Sequence, residues 1–358
     1  MSKLKTFTGS GTGTLVGLAV LAVALFVVAP QTLETFRLSL LAKYLCWALV
    51  AVGIGLAWGR GGMLVLGQGL YFGLGGYAMA MHLKLEAAGP GGIPDFMGLY
   101  AGGHMPAWWE PFRSGLFTWV VILVLPGLVA FLVGFAILKR KVKGAYFAIL
   151  SQAMAAAFAI ILIANIKTTG GFNGLNGFST FFGFPIYAPE NQLMLYQIIA
   201  GLLVAALAVT AWLYRSRFGE LLIASRDAEE RVRFLGHDPA NIKLVAYVVA
   251  AVFAGLAGAM FVPIVGIISP ANVNVTASIA LVAGAALGGR AALFGPALGA
   301  MAVGYAQTSL SESFPAFWSY FQGALFIVVI LLLPGGLASL VDKAKALLAR
   351  SRRNEVPA

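Results

Sequence analysis

An all-α polytopic membrane protein is the fold class this sequence predicts, on three observations. Of its 358 residues, 60% are hydrophobic and only 10% are charged. Mean hydropathy is +0.90. The apolar residues gather into runs near the ~20 helical residues needed to cross a ~30 Å bilayer core, and the basic residues fall between those runs. A soluble domain carries about 25% charged residues, and this chain has too few to cover a water-facing surface. The apolar content excludes disorder. The 44 glycines show no period of three, which excludes a collagen helix.

The elements follow in order, in one continuous membrane domain over 1–358. A cytoplasmic N-terminal tail, 1–13, carries Lys3 and Lys5 and precedes a first span at about 14–30, read as retained rather than cleaved because no small-residue cleavage site follows it. A second span covers about 37–58. The turn Gly59-Arg60-Gly61-Gly62 leads into a glycine-dense third segment, about 63–82, and a loop rich in Gly, Pro and Trp over 84–115. A fourth span, about 116–138, stops at the basic cluster Lys139-Arg140-Lys141-Val142-Lys143; a fifth covers about 144–164. A polar, aromatic connector over 165–193 precedes the sixth, about 194–213. The charged loop 214–240 separates it from the seventh, about 241–262. Segments at about 275–288 and 292–310 flank Gly288-Gly289-Arg290. A tenth span at about 320–333 ends at Pro334-Gly335-Gly336, before a basic cytoplasmic tail, 341–358. With ten spans and both ends in the cytoplasm, 19 of the 24 Lys and Arg residues fall on the inside. Eight spans with a re-entrant hairpin at 275–310 preserve the same orientation. The net charge of +11 thus follows membrane topology, and no nucleic-acid partner is expected.

Little points to catalysis. Cys46, the single cysteine, sits between Leu45 and Trp47 as an apolar filler would. His82, His104 and His237 share no ligand spacing, so no metal site is expected. The glycine-rich loop 169–178 lacks the Lys-Ser/Thr ending of a phosphate-binding loop and reads as a cap on the outer mouth. No nucleophile–base set or HExxH string is present, so an enzyme is not expected.

Two stretches carry functional expectations. In the third segment, Gly67, Gly69 and Gly73, with Gly255 in the seventh span, permit close helix packing or a flexible element. Gln68 and Tyr71 beside them, with Gln152 and Asn165, are candidates for a translocation path; Ser151 and Gln307 are further polar residues near or within helices. No carboxylate lies well inside a span, which favours a neutral or zwitterionic solute and an energy source other than an intramembrane proton relay. In the loop, Leu221, Ala224, Ala228, Val232 and Leu235 recur at helical spacing. Charges fill the other face, with Asp227–Arg231 and Glu229–Arg233 at pairing distance along a helix. One amphipathic helix is expected there, either an ordinary interfacial loop helix or a docking element for a soluble partner through Glu220, Arg226, Asp227, Glu229, Glu230, Arg231 and Arg233.

Several strings carry a family resemblance: 58–69, 143–150, 170–175, 226–236, 262–270 and Gly288-Gly289-Arg290. Over about 40–337 the chain resembles the permease subunits of ATP-driven importers for branched-chain amino acids and for urea or short amides. The 226–236 string, Pro94-Asp95-Phe96 and Trp108-Trp109 lean toward the second, longer permease of the urea and short-amide branch. Thr276-Ala277-Ser278-Ile279 and Ala283-Gly284-Ala285-Ala286 depart from the family's pattern, and Phe172 from that of the urea branch, which leaves the exact solute open among amides and related small polar molecules; a permease for branched-chain or other amino acids is the alternative. The resemblance implies a multi-pass subunit of the bacterial inner membrane with the importer permease fold. It implies a second homologous permease, two cytoplasmic ATPases that alone hold ATP and Mg²⁺, and a periplasmic binding protein delivering a small polar solute. Residues 217–236 would then be the coupling helix. A self-sufficient secondary carrier or channel, which needs no docking helix, is the remaining alternative.

Overall fold

The computed structural model describes residues 11–142 and 144–313, with Tyr320, Gly323, Ala324, Ile327 and Gly336. The expected tenth span falls almost wholly outside the described residues, as do most of the N-terminal tail and all of the C-terminal tail. The described chain is helical almost throughout: α1 (Gly11–Val23), α2 (Thr35–Ile54), α3 (Gln68–Ala88), α4 (Gly115–Lys139), α5 (Ala145–Ala164), α6 (Pro189–Arg215), α7 (Arg217–Asp227), α8 (Glu229–Phe234), α9 (Pro239–Val265), α10 (Val275–Gly288) and α11 (Gly295–Ser313). The exceptions to an all-α chain are four two-residue strands. Of these, Leu175–Asn176 pairs with Ile267–Ile268, and Thr180–Phe181 with Phe184–Pro185.

Among the described residues, seven helices are long and apolar enough to cross a membrane: Thr12–Thr32, Thr35–Arg60, Gly115–Lys139, Ala145–Ala164, Pro189–Arg215, Pro239–Val265 and Pro270–Gly288. The third and ninth expected spans are helices too, α3 and α11, but neither is among the seven. For α3 the reason is its place in the bundle. It is buried along almost its whole length and packs on α9, α4 and α5, so neighbouring helices rather than lipid surround its glycines and polar groups. Its lead also differs from expectation: residues 62–67 are irregular, and the helix begins at Gln68 and runs to Ala88.

α9 lies across α3, α4 and α2, and α2 in turn packs on α6 and α11. The α3–α9 crossing is backbone against backbone. A Cβ at Gly75 would stand 1.9 Å from the Gly255 carbonyl oxygen, and one at Gly258 would stand 1.9 Å from that of Phe72. Small residues allow this approach, and close packing is what holds helices together where lipid replaces water. The paired glycines expected at 69 and 73 face elsewhere, onto Val273 in the loop before α10. α10 and α11 form a tight antiparallel hairpin, with Gly284 against Ala300 and Gly288 against Gly295.

The Ala88 end of α3 is fastened by polar contacts. Lys84, 4% exposed, donates to Asp95 at 2.8 Å. The Glu86 carboxylate accepts from the backbone N–H groups of Phe182 and Gly183. Arg113 donates to the carbonyls of Gly89 (3.0 Å) and Gly92 (2.7 Å), and His82 Nδ1 donates to Phe112 O at 2.7 Å. The loops 89–114 and 165–188 are thereby gathered into one cap, both shorter than the expected 84–115 and 165–193 because the flanking helices extend into them. Asp95 is held below the usual carboxylate range: burial acts upward, but the Lys84 hydrogen bond and charge, with backbone donors, outweigh it.

Candidate functional site

At the other end of α3 the charged loop folds under the bundle as two helices, not one. Ala228, at φ −150° and ψ 64°, breaks the chain between α7 and α8. Arg226 closes the last turn of α7, and Glu229 and Glu230 open the first turn of α8. These charges complement the two helix dipoles where a continuous helix would have placed them mid-run. The break moves the expected apolar stripe. Gly219, Leu222, Ser225 and Val232 are buried, whereas Leu235 is 76% and Phe234 89% exposed. Arg233 pairs with Glu229 at 2.9 Å and Glu230 at 3.2 Å, and Glu229 also meets Lys243 at 3.3 Å. Asp227 pairs with Arg226 at 2.7 Å instead of the expected Arg231, because the break removes the four-residue helical register. Glu220 and Arg231 are exposed.

Arg226 reaches from this element into the membrane domain. Its Nη1 donates to Gly59 O at 2.7 Å, and its stem lies where a Gly62 side chain would be. Leu222 closes over Gly61. Arg60, 6% exposed, stacks on Tyr214 at 4.1 Å, and Arg290 stacks on Trp58 at 4.7 Å. Gly59 has no room for a side chain, since a Cβ would stand 1.8 Å from Arg290 O. Residues 58–62, where the helix that continues α2 through Arg60 ends, are therefore gripped by α6, α7 and the turn before α11. From them the irregular 62–67 run leads directly to α3.

The four path candidates do not converge. Gln68 is 1% exposed, with neither Oε1 nor Nε2 partnered. Tyr71, one turn on, donates to the Tyr247 hydroxyl at 2.7 Å in the core. Gln152 is half-buried on α5. Asn165 is exposed just beyond the end of that helix and donates to Ile161 O at 2.8 Å. A cavity of about 400 Å³ lies elsewhere, between α2, α3, α9, α10 and α11. Asn272, Asn274, Thr276 and Gln307 supply its polar groups. Trp47, Phe72, Phe261, Leu281 and Val303 supply its apolar wall. Sequence reasoning singled out Gln307 as a polar helical residue but missed the asparagines. The available signal was two Asn and a Thr within five residues of an otherwise apolar stretch.

The α7–α8 element is braced by a further ion pair. Lys139, at the end of α4, meets Asp238 at 2.5 Å before α9. The Lys139 hydrogen bond, ahead of the opposing effect of burial and helped by the Ala240 N–H, holds Asp238 below the usual carboxylate range. A lowered folded pKa means this stabilisation is complete above the unfolded carboxylate value of about 4 and is lost as pH falls through the Asp238 pKa. Both partners are partly exposed, so the expected loss is below ~1 kcal/mol. Thermal-denaturation scans against pH check this: Asp238→Asn should lower stability at neutral pH by that amount and converge with the unaltered chain in acid, where the carboxylate is protonated in both states.

The family described as branched-chain amino acid transport system / permease component matches residues 36–330. The chain belongs to this family. It is similar to the high-affinity branched-chain amino acid transport system permease protein LivM of Escherichia coli, 28% identical over 347 residues, covering 90% of this chain and 74% of the relative. The LivM of Salmonella typhimurium is 27% identical over 350 residues, with the same coverage of both chains. The autoinducer 2 import system permease protein LsrC of Photorhabdus luminescens is 28% identical over 155 residues, covering 41% of this chain and 47% of the relative. No solved structure gives a significant match. Membership of this permease family makes the chain a transport subunit rather than an enzyme, and it is a polytopic protein of the inner membrane. The family implies partner ATPases that use ATP and Mg²⁺, a second permease and a binding protein.

Proposed function

We propose that this chain is one of two homologous membrane subunits of an ATP-driven importer that moves branched-chain or other small neutral amino acids into the cytoplasm. The observation that carries the coupling part of this reading is the Arg226–Gly59 hydrogen bond. It ties the 217–236 element to the residues that lead into the central helix. A cytoplasmic ATPase docks on α7 and α8, where Glu220, Glu230, Arg231, Phe234 and Leu235 are uncovered. Glu229 and Arg233 brace the element from within, and Arg226, with its partner Asp227, passes displacement to residues 58–62. Movement there reaches Gln68 and Tyr71 through the irregular lead to α3. The relatives favour amino acids over the urea or short-amide expectation.

In this reading 214–240 faces the cytoplasm, both chain ends lie there, and ten spans or eight with a re-entrant α10–α11 hairpin satisfy the orientation. The partners are a second homologous permease, two ATPases that hold ATP and Mg²⁺, and a periplasmic binding protein. Thiol labelling tests the sidedness cleanly, because Cys46 is buried. In the chain expressed without its ATPases, Phe234→Cys is expected to react with a membrane-impermeant maleimide in inside-out vesicles and to stay unlabelled in right-side-out spheroplasts. The reverse pattern overturns the coupling assignment. Mild-detergent purification should bring ATPase subunits with the chain; ATP-independent uptake by the purified chain alone would instead establish a carrier or channel.

A further inference from the structure

We infer that the 400 Å³ cavity between α2, α3, α9, α10 and α11 is the chamber that holds the amino-acid solute in transit, with the asparagine edge taking its carboxylate and the aromatic wall its side chain. This inference rests on the importer reading above. The volume lies within the ~300–1,000 Å³ typical of small-molecule sites. No charged side chain lines the cavity among the described residues, so it suits a solute with no net charge; a bare ion would enter without a counter-charge.

The polar groups are oriented by their own capping bonds. Asn272 Oδ1 accepts from Ser269 N at 3.0 Å and Ser269 Oγ at 3.1 Å. Asn274 Oδ1 accepts from Ala277 N at 3.1 Å as the N-cap of α10. With both carbonyls engaged, what each side chain offers the chamber is its NH₂ donor. Two neighbouring donors match the two oxygens of a carboxylate, and the Thr276 hydroxyl accepts from the ammonium group. Trp47, Phe72 and Phe261 then cover an aliphatic side chain. Urea, with four heavy atoms and no apolar portion, uses none of that wall, so the chamber favours a solute carrying both a carboxylate and a hydrocarbon group.

Aspartate substitution separates recognition from folding. Asn272→Asp and Asn274→Asp keep the capping oxygen and replace each NH₂ with an anionic acceptor. In proteoliposomes holding the complete importer, the double variant should assemble as the unaltered chain does. Its uptake of radiolabelled leucine should fall by about tenfold or more, the loss expected for two hydrogen bonds to a charged group. Thr276→Trp, at an exposed position on the chamber rim, should assemble and block leucine uptake while sparing glycine more than leucine. Leucine uptake at the unaltered rate in both assembled variants overturns the chamber and leaves the importer reading intact. Absence of ATP-driven amino-acid uptake by the unaltered importer overturns both.

Discussion

Arg226→Ala is expected to cut solute-stimulated ATP hydrolysis in the reconstituted importer by about tenfold or more, while the ATPase still co-purifies. The guanidinium makes the bond to Gly59 O that joins α7 to the residues leading into α3. A hydrogen bond from a charged donor contributes ~1.5–3 kcal/mol, or about 10- to 100-fold in how often the two parts move as one. The exposed residues of the proposed docking surface, Glu220, Glu230, Arg231, Phe234 and Leu235, are untouched by the change, so binding and coupling should separate. Arg226→Lys is expected to recover part of the loss at most, because one ammonium group cannot reproduce the fork that reaches both Gly59 and Asp227. Full stimulation in Arg226→Ala would show that force passes elsewhere.

Gly75→Val should have the largest effect on the protein itself. Its Cβ would fall 1.9 Å from the Gly255 carbonyl oxygen, with backbone rather than a yielding side chain in the way. The two central helices must separate, and all side chains along the crossing lose contact. Overpacking costs ~1–3 kcal/mol in ordinary cores and more where nothing can shift. The folding equilibrium is therefore expected to shift toward the unfolded state by roughly a hundredfold, which corresponds to about 3 kcal/mol, and to show as a lower thermal midpoint in detergent with a reduced yield of monodisperse protein. Gly98→Ala is the matched control: no atom lies within 4 Å of its Cβ position, and its yield should equal that of the unaltered chain. Equal yields for both variants would mean that the α3–α9 crossing is looser than the geometry states.

What could be read in advance follows from how local each signal is. The expected spans at about 116–138 and 144–164 agree closely with Gly115–Lys139 and Ala145–Ala164, because a bilayer sets length and apolarity together. The third segment was misplaced by several residues, since 63–66 is as apolar as a helix but has no helical backbone. The 217–236 stretch is legible as charged and partly apolar, yet its break is not. Register along a helix is a property of neighbours, and the Ala228 conformation interrupts it. The Arg226–Gly59 bond joins residues 167 positions apart, and no pattern along the chain foreshadows it. The chamber was hidden for a related reason: its residues come from five helices and a loop, and its asparagines look like ordinary turn formers.

The uneven fastening of α3 has a mechanical consequence. One end is staked by Lys84, Glu86 and His82; the other joins the rest of the chain through residues 62–67, which belong to no helix. The Gly75–Gly255 and Gly258–Phe72 contacts hold the middle of the rod as well, so movement arriving at Gln68 is confined to the short arm ahead of that crossing. From Gly75 back to Gln68 is about 10 Å at ~1.5 Å per residue, and a bend of about 15° there carries Gln68 through roughly 3 Å, with the Gly69 N–Ser278 Oγ bond as the contact that yields. That distance is wide enough to admit or exclude a water-sized group.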